Sequence, residues 1–512
     1  MKSQIIALFL FSQMIIFGQT QVKIDWPSLA NSPWPVLRGD MQGTGRSEYI
    51  GPRTFKVKWK KDIPMGVMFG PLIGYDDALY MGARGYNNDT FNYFYAINKN
   101  SEDLWTFHSS DPSANIWGTV LTNDSSVYFS SASRRFYALN KNGYLKWSLN
   151  TWTGSGIESY LDKAGNIYLP GNDTLRVISP SGIMRKVFFP KISPSLSFSA
   201  GGDTIFAITG GPNGQIRPGA LTASDLNGNI YWSFNLGGIS WGIPLVDNQN
   251  NIYFFGSDTL LSGHHYLFCI KPDGKLKWKY HVDYYDEEIS PAMDHNGNII
   301  FSSPFWDSTG NLSGTMVSLT YNGKFRWIDT LTGDFSHHMS YGTVCDAEGK
   351  TYCGSNWPGG TFYCIDSNGV TLWQIIFPYM YDSCPAIGSD GTLYIGTQSN
   401  GRNDMQNLIA IKDSVTSVND IIENEIGFQL QQNYPNPFNP STVIIYSIPS
   451  TSIVNLKVYN ILGQMVKVLE NGFKNAGNHS VNFNASDLPS GIYFYKLEAG
   501  QFSQVKKMML IK

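Results

Sequence analysis

Tyr137-Ala-Leu-Asn-Lys-Asn-Gly143-Tyr-Leu-Lys-Trp147 is a phrase that this chain repeats. Phe268-Cys-Ile-Lys-Pro-Asp-Gly274-Lys-Leu-Lys-Trp278 and Tyr363-Cys-Ile-Asp-Ser-Asn-Gly369-Val-Thr-Leu-Trp373 follow the same scheme. So do Ser318-Leu-Thr-Tyr-Asn-Gly323-Lys-Phe-Arg-Trp327 and Ser224-Asp-Leu-Asn-Gly228-Asn-Ile-Tyr-Trp232. The Asn-Gly or Asp-Gly pair supplies the positive φ angles of a tight hairpin turn. Apolar and polar residues alternate on either side with strand period. Each phrase is therefore a β-hairpin, and its recurrence decides the fold.

The repeat ends fall at Trp59, Trp105, Trp147, Lys186, Trp232, Trp278, Trp327 and Trp373. Their spacing of about 39 to 49 residues is that of a four-stranded propeller blade. The third copy, Ser179-Pro-Ser-Gly182-Ile-Met-Arg-Lys186, keeps the turn without the Trp. A second landmark, a strand start followed six residues on by an apolar strand centre, occurs eight times, from Gly74/Tyr80 to Gly388/Tyr394. The eighth inner hairpin ends at Leu408–Lys412 with no Trp strand behind it, and the strand Lys56–Trp59 precedes the first. Joining the two predicts a closed eight-bladed ring, because an open ring would expose unpaired strand edges.

Composition agrees with many short strands: aromatics are 14%, with 29 Tyr, 14 Trp and 51 Gly. Charged residues are 15% and the net charge is −3, without the basic patch of a nucleic-acid binder. Residues 1–20 read as a secretory signal peptide: Lys2, a short apolar core, then small and polar residues. No other apolar run is long enough to span a membrane, so the mature chain is expected to lack a transmembrane segment. Five cysteines, Cys269, Cys345, Cys353, Cys364 and Cys384, leave at least one unpaired in a monomer. Cys353 and Cys364 sit on the two arms of a hairpin around Asn356–Gly360, where a cross-strand disulfide is one reading and buried thiols the other. No Cys/His cluster has zinc spacing and no Cys-x-x-Cys-His occurs.

The repeats and the opening Trp34-Pro-Val-Leu-Arg-Gly-Asp40 resemble the pyrroloquinoline-quinone-type propeller repeat family over about residues 34–413. That family includes quinoprotein dehydrogenases and the outer-membrane assembly lipoprotein of the barrel-assembly machinery. The resemblance implies the fold and leaves function open. The dehydrogenases of the family usually carry a vicinal Cys pair over the quinone, and this chain has no adjacent cysteines. Gly-x-Ser-x-Gly and His-Glu-x-x-His are also missing. No cofactor is predicted, and Ca²⁺ is the candidate ion.

The repeated Trp residues are read as blade-to-blade packing. A ligand site should instead break the repeat, at the loops entering the innermost strands. The departing residues are Trp117, Trp152, Trp241, Glu287, Glu288, His337, His338, Tyr341 and Asp382. Aromatic faces beside carboxylates suit sugar hydroxyls or a hard cation.

After a linker at 414–427 the phrase changes. Strands are expected at Val443–Ile448, Ile453–Tyr459, Gln464–Leu469, His479–Phe483, Gly491–Leu497 and Gln504–Ile511, with turns at Leu462-Gly463, Asn471-Gly472 and Pro489-Ser-Gly491. That predicts a small Ig-like antiparallel sandwich over 428–512. The matching residues are Asn433-Tyr434-Pro435-Asn436-Pro437-Phe438-Asn439-Pro440-Ser-Thr442, Val458–Gln464 around Gly463, Leu488–Phe494 around Gly491, and Lys506-Lys507-Met-Met-Leu-Ile-Lys512. They resemble the type A C-terminal sorting domain of the type IX (Por) secretion system. The resemblance implies Sec export, passage across the outer membrane by that machinery, and removal of the domain with release or surface attachment. The expectation is a secreted or cell-surface propeller that binds a protein or glycan. The alternative is an extracellular enzyme, polysaccharide-acting or quinoprotein-like, with its site at the channel mouth; a third reading is a structural spacer.

Overall fold

The computed structural model describes the chain except residues 1–18, 65, 83–91, 110–115, 152–157, 172–173, 189–191, 211–218, 240–241, 259–264, 283–288, 304, 307–311, 332–341, 355–359, 378–383, 398–406, 414–428, 431, 434–435, 449–451, 475–476, 500–501 and 512. It divides into two units, 1–413 and 414–512.

Among the described residues the first unit is eight antiparallel blades in chain order, seven of four strands and one of five, with a two-stranded hairpin of Phe305–Trp306 and Leu312–Ser313. Blades 1 to 7 span 68–109, 116–150, 160–188, 192–236, 238–282, 292–330 and 344–376. Blade 8 takes three strands from 386–411 and its outermost from Val57–Lys61, which runs antiparallel to Leu408–Ile411 with Trp59 opposite Ala410. The ring therefore closes between the two ends of the unit. Blade 5 departs from the pattern, because its innermost strand is in two pieces, Gly238–Ile239 and Leu245–Val246, both paired to Ile252–Ser257.

The turn glycine and the Trp recur together because they touch. The Trp327 ring lies against Gly369 of the next blade, where a Cβ would come within 2.6 Å of the indole. Its Nε1–H donates to Ser367 O of the same turn at 3.0 Å. Trp59, Trp105, Trp147, Trp232 and Trp278 dock likewise, onto the carbonyls of Lys99, Lys141, Pro180, Pro272 and Tyr321. Within its own blade the indole packs on the landmark aromatic where there is one, as Trp105 on Tyr80 and Trp278 on Tyr253. Removing such a ring altogether costs about 3–5 kcal/mol when it is well buried. Trp373 is the exception: its Nε1 is buried without a partner among the described residues. The turn it should meet belongs to blade 8, where the chain's two ends replace a hairpin.

Asp413 stands in for that missing turn. Its carboxylate accepts the N–H groups of Arg53 and Thr54, each at 2.9 Å, and the Thr54 hydroxyl. Beside it, Lys412 N–H donates to Lys56 O at 3.0 Å.

The cysteines are all buried free thiols. Tyr352 pairs with Cys364 and Cys353 with Tyr363. Side chains alternate across a strand, so the one-residue offset sends the two sulfurs to opposite faces and no disulfide joins them. Accordingly Cys364 packs in the core shared with blades 8 and 1, and Cys353 in the core shared with blade 6.

The second unit is a small antiparallel sandwich. One sheet holds Gln429–Leu430, Ser441–Ile448 and Gly477–Asn484. The other has the order 465–474, 452–460, 491–499, 502–510. Alternate residues such as Val454, Leu456, Val458, Tyr493, Tyr495 and Leu497 fill the core. Asn471-Gly472 is not a turn: the strand Met465–Lys474 runs through it, with Asn471 opposite Asn455 and Gly472 opposite Val454. A bulge near Leu456 lets the edge strand continue.

Candidate functional site

The channel of the propeller is occupied by the chain itself. Ahead of the closing strand, residues 34–47 pass the innermost strands in blade order. Ile73 of blade 1 donates to Trp34 O at 2.9 Å, and Leu121 of blade 2 to Pro35 O at 2.9 Å. Leu161 of blade 3 points its N–H at Met41 Sδ (3.3 Å). Phe198, Val246, Met293 and Cys345 of blades 4 to 7 donate to the carbonyls of Met41, Gln42, Thr44 and Gly45, at 2.7–3.0 Å. Each inner strand has an open edge toward the axis, and the segment takes one N–H from each of blades 1 to 7.

Close passage requires glycine. Gly43 has φ +65, and a Cβ there would meet Ile243 Cγ2 at 2.8 Å. Asp40 pins the turn: its Oδ1 accepts the N–H groups of Gln42 (3.2 Å) and Thr44 (3.0 Å), and its Oδ2 the Thr44 hydroxyl.

At the axis lies Arg38, 2% exposed. Its guanidinium donates to the carbonyls of Gly43, Thr343 (3.0 Å) and Pro291. Burial pulls its pKa down to about 10, with Cys384, Cys345 and Asp40 resisting, so it stays charged at neutral pH. A buried cation ringed by carbonyl oxygens fixes the segment against blades 6 and 7.

Beside the segment lies a cavity of about 10 Å³, lined by Leu37, Asp40, Glu158, Tyr160 and Ser197 among others. That is room for about one water or ion and not for a sugar or a quinone. A larger recess of about 180 Å³ lies on the inner-hairpin side, between Pro27, Asn123, Asp124, Lys163 and Pro180. Its polar groups are already committed: Asp124 to Lys146 at 3.1 Å, Lys163 to Ala200 O at 3.0 Å, Asn123 to Pro27 O.

Of the residues singled out in the sequence, Trp117 is placed: it is the second residue of the innermost strand of blade 2, Ile116–Leu121, opposite Ser130, and is 7% exposed. Trp152, Trp241, Glu287, Glu288, His337, His338, Tyr341 and Asp382 lie outside the described residues. By chain order Trp152 precedes the inner strand of blade 3, Trp241 falls between the two pieces of blade 5's, and the others precede those of blades 6 to 8. The channel residues Arg38 and Asp40 belong to the opening motif Trp34–Asp40, and Met41 follows it directly. The signal that marks them is a run of 34–47 rich in Gly and bulky apolar residues with no strand period.

In the sorting motif, Tyr434 and Pro435 lie outside the described residues. Phe438 is 2% exposed and exchanges two backbone bonds with the last strand, to Met509 O and from Ile511 N–H. Asn436 Oδ1 accepts Met509 N–H at 2.8 Å, and Pro440 O accepts Ala485 N–H at 2.9 Å. Pro437 and Asn439 are exposed. Gly463 closes a turn at φ +74 held by Asn460 Oδ1, Gly491 begins a central strand, and Lys506 and Lys507 lie on the edge strand paired with Tyr495 and Phe494. The first half of the motif thus ties the start of the module to its end.

Residues 432–512 match the family model described as a secretion system C-terminal sorting domain. No curated protein matches the chain. The Dos1 propeller is similar in structure, with a TM-score of 0.52 at 10% identity, covering 70% of this chain and 94% of that one. BamB from Moraxella catarrhalis aligns with a TM-score of 0.47 at 13% identity, over 70% and 99%. At that identity the Dos1 likeness speaks for the propeller fold alone. Among the described residues no helix is long and apolar enough to cross a membrane. The C-terminal module is a Por-type secretion sorting domain, which marks for passage across the outer membrane a chain whose first unit is an eight-bladed β-propeller.

Proposed function

We propose that the protein is a secreted or cell-surface binding propeller, exported through the inner membrane by its leader and across the outer membrane by its sorting domain. The supporting observation is the combination of that domain with a channel filled by the chain's own residues 34–47. A propeller whose axis is filled presents surfaces and loops rather than a deep pocket. The ligand, a protein or a glycan, would be met by Trp117, Trp241, Glu287, Glu288, His337, His338, Tyr341 and Asp382 around the inner-strand entrances. The sorting residues from Tyr434 to Pro440, with Gly463, Gly491, Lys506 and Lys507, shape the module that the secretion machinery reads.

Two experiments test the parts separately. In the native host the full chain should reach the surface or medium, and a chain ending at Asp413 should stay in the periplasm. Normal external levels of the truncated chain would overturn the export reading. A glycan and protein-ligand screen on the secreted protein, repeated with Glu288→Gln/Asp382→Asn, tests the binding face. The double variant should keep the parent melting temperature and lose the ligand. Equal binding would remove those residues from the site, and turnover of a screened glycan would favour the enzyme.

A further inference from the structure

Blade 3 departs from the other seven at its outer edge. In blades 1, 2 and 4 to 7 the outermost strand carries a register shift beside its Trp, and in blade 8 the shift falls between Val57 and Trp59. Such bulges twist an edge strand and interrupt its row of outward N–H and C=O groups, which guards it against pairing. Met184–Phe188, the outermost strand of blade 3, pairs with Thr174–Ile178 without a shift. Nothing pairs with its other side among the described residues. The missing bulge also changes which residue faces the next blade. In blade 2 the row from the landmark aromatic runs Tyr128, Ala138, Trp147. In blade 3 it runs Tyr168, Val177, Arg185, so Arg185 and not Lys186 stands in the Trp row. Its Nη1 donates to Asn227 Oδ1 of the blade 4 turn at 3.5 Å.

The edge is also charged with one sign. Between Thr174 and Lys191 the sequence holds Arg176, Arg185, Lys186 and Lys191 and no acidic residue. Arg185 and Lys186 are exposed. Arg176 lies directly opposite Lys186, is 9% exposed, and has its Nε buried with no partner among the described residues. Burial lowers its pKa and no carboxylate counters the shift. Like charges facing each other across a strand pair are unfavourable, and a buried cation is normally paired. The carboxylates of the neighbouring turns are held elsewhere: Asp162 accepts the N–H groups of Ala164 and Asn166, and Asp225 those of Asn227 and Asn229. An acidic residue on a strand added outside Met184–Phe188 would be one strand spacing, about 4.8 Å, from Lys186 and two from Arg176. The cations that discourage pairing with a basic strand thus select an acidic one.

We infer that the outer edge of blade 3 binds an extended acidic segment of a partner protein, which adds as a further strand beside Met184–Phe188. Its carboxylates meet Arg176 and Lys186 on one face of the blade and Arg185 on the other. Backbone pairing gives such a strand its register, and the charges give it selectivity. The edge is separate from the inner-strand entrances, so the inference stands apart from any ligand bound there.

The test uses the full-length protein and a short fluorescein-labelled peptide of alternating Glu and Val, capped at both ends. Whichever face its acids take, they meet Lys186 or Arg185. Fluorescence anisotropy should show saturable binding that weakens as salt rises from about 50 to about 300 mM. Hydrogen exchange should slow at Met184–Phe188 and stay unchanged at Leu145–Asn150, the bulged outer strand of blade 2. Arg185→Glu/Lys186→Glu should weaken binding about tenfold or more while melting with the parent. Arg176→Met should weaken it a few-fold and melt no lower, since it deletes a buried cation without a counter-charge. The same peptide with alternate amides N-methylated keeps its charge, loses one row of donors and should not bind. Equal binding of the N-methylated peptide would show adventitious ion exchange and overturn the proposal. So would equal binding of a peptide with Lys in place of Glu, full binding by the double Glu variant, or no saturable binding of the acidic peptide.

Discussion

Replacing Asp413 with Ala removes the group that closes the ring without a hairpin. The carboxylate accepts two backbone N–H groups at 2.9 Å and one hydroxyl. Hydrogen bonds to a charged acceptor contribute about 1.5–3 kcal/mol each when buried. Asp413 is only half-buried and the freed N–H groups of Arg53 and Thr54 can turn to water, so about 0.7 kcal/mol each is the better figure, or about 2 kcal/mol in all. That energy should appear locally, as easier detachment of Val57–Lys61 from Leu408–Ile411. At about 1.4 kcal/mol per decade, hydrogen exchange of those amides should speed up roughly 30-fold. Exchange in Ile167–Gly171 of blade 3, on the far side of the ring, should not change. Asp413→Asn, which keeps one acceptor oxygen, should fall between. If the amides of Val57–Lys61 exchange as in the parent, or if all blades speed up equally, the carboxylate is not the clasp.

Other substitutions discriminate as pairs. Trp327→Phe loses the bond to Ser367 O and should lower stability by about 1–2 kcal/mol in urea unfolding, whereas Trp373→Phe deletes a buried N–H that has no partner and should change it by less than about 0.5 kcal/mol. Gly369→Ala combines φ +85 with a Cβ 2.6 Å from the Trp327 ring and should cost about 3 kcal/mol or more; Gly463→Ala, at φ +74 with nothing within 4 Å, should cost about 1–2 kcal/mol in its own unit's transition. Burial raises the Asp329 carboxyl to about 6, with Thr371 opposing and Asp366 adding to the rise. A folded-state pKa above the unfolded value of about 3.9 means stability is highest below pH about 4 and falls as pH rises through about 6. Asp329→Asn should therefore stabilise by about 1–2 kcal/mol at pH 7 and by nothing at pH 4, read from melting curves at the two pH values.

The blades were legible because the information that makes them is local. Gly369 and Trp373 are four residues apart, and turn chemistry with strand period is enough to place both on one hairpin. Even the indole's docking site is one repeat away and recurs, so counting the copies also revealed the seam at Lys56–Trp59. The channel segment was not legible, because its bonds are scattered. Met41 O meets Phe198 N–H and Gly45 O meets Cys345 N–H, contacts that no short window contains. The disulfide reading of Cys353 and Cys364 failed on register, since a shift of one residue moves a side chain to the other face. Asn471-Gly472 carries turn chemistry, yet pairing with Asn455 and Val454 overrides it. The residues proposed for ligand were chosen because they break the repeat, and a departure from a pattern says where to look without saying what is bound.

The architecture separates two kinds of bond by their reach along the chain. Within a blade, partners are a hairpin apart and can form as soon as the strands exist. Filling the channel and closing the ring are different, since Arg53 and Asp413 are 360 residues apart and Arg38 reaches Thr343 over 305. Loop-closure entropy must be overcome before such contacts are rewarded, so they form late. The segment 34–47 meets blades 1 to 7 in chain order, which lets it settle against the ring without crossing itself. Only when Leu408–Ile411 is available can Val57–Lys61 complete blade 8. Asp413, the last residue of the first unit, then holds the seam. The seam of the ring is thus made by residues 53–61 and 408–413, all of the first unit.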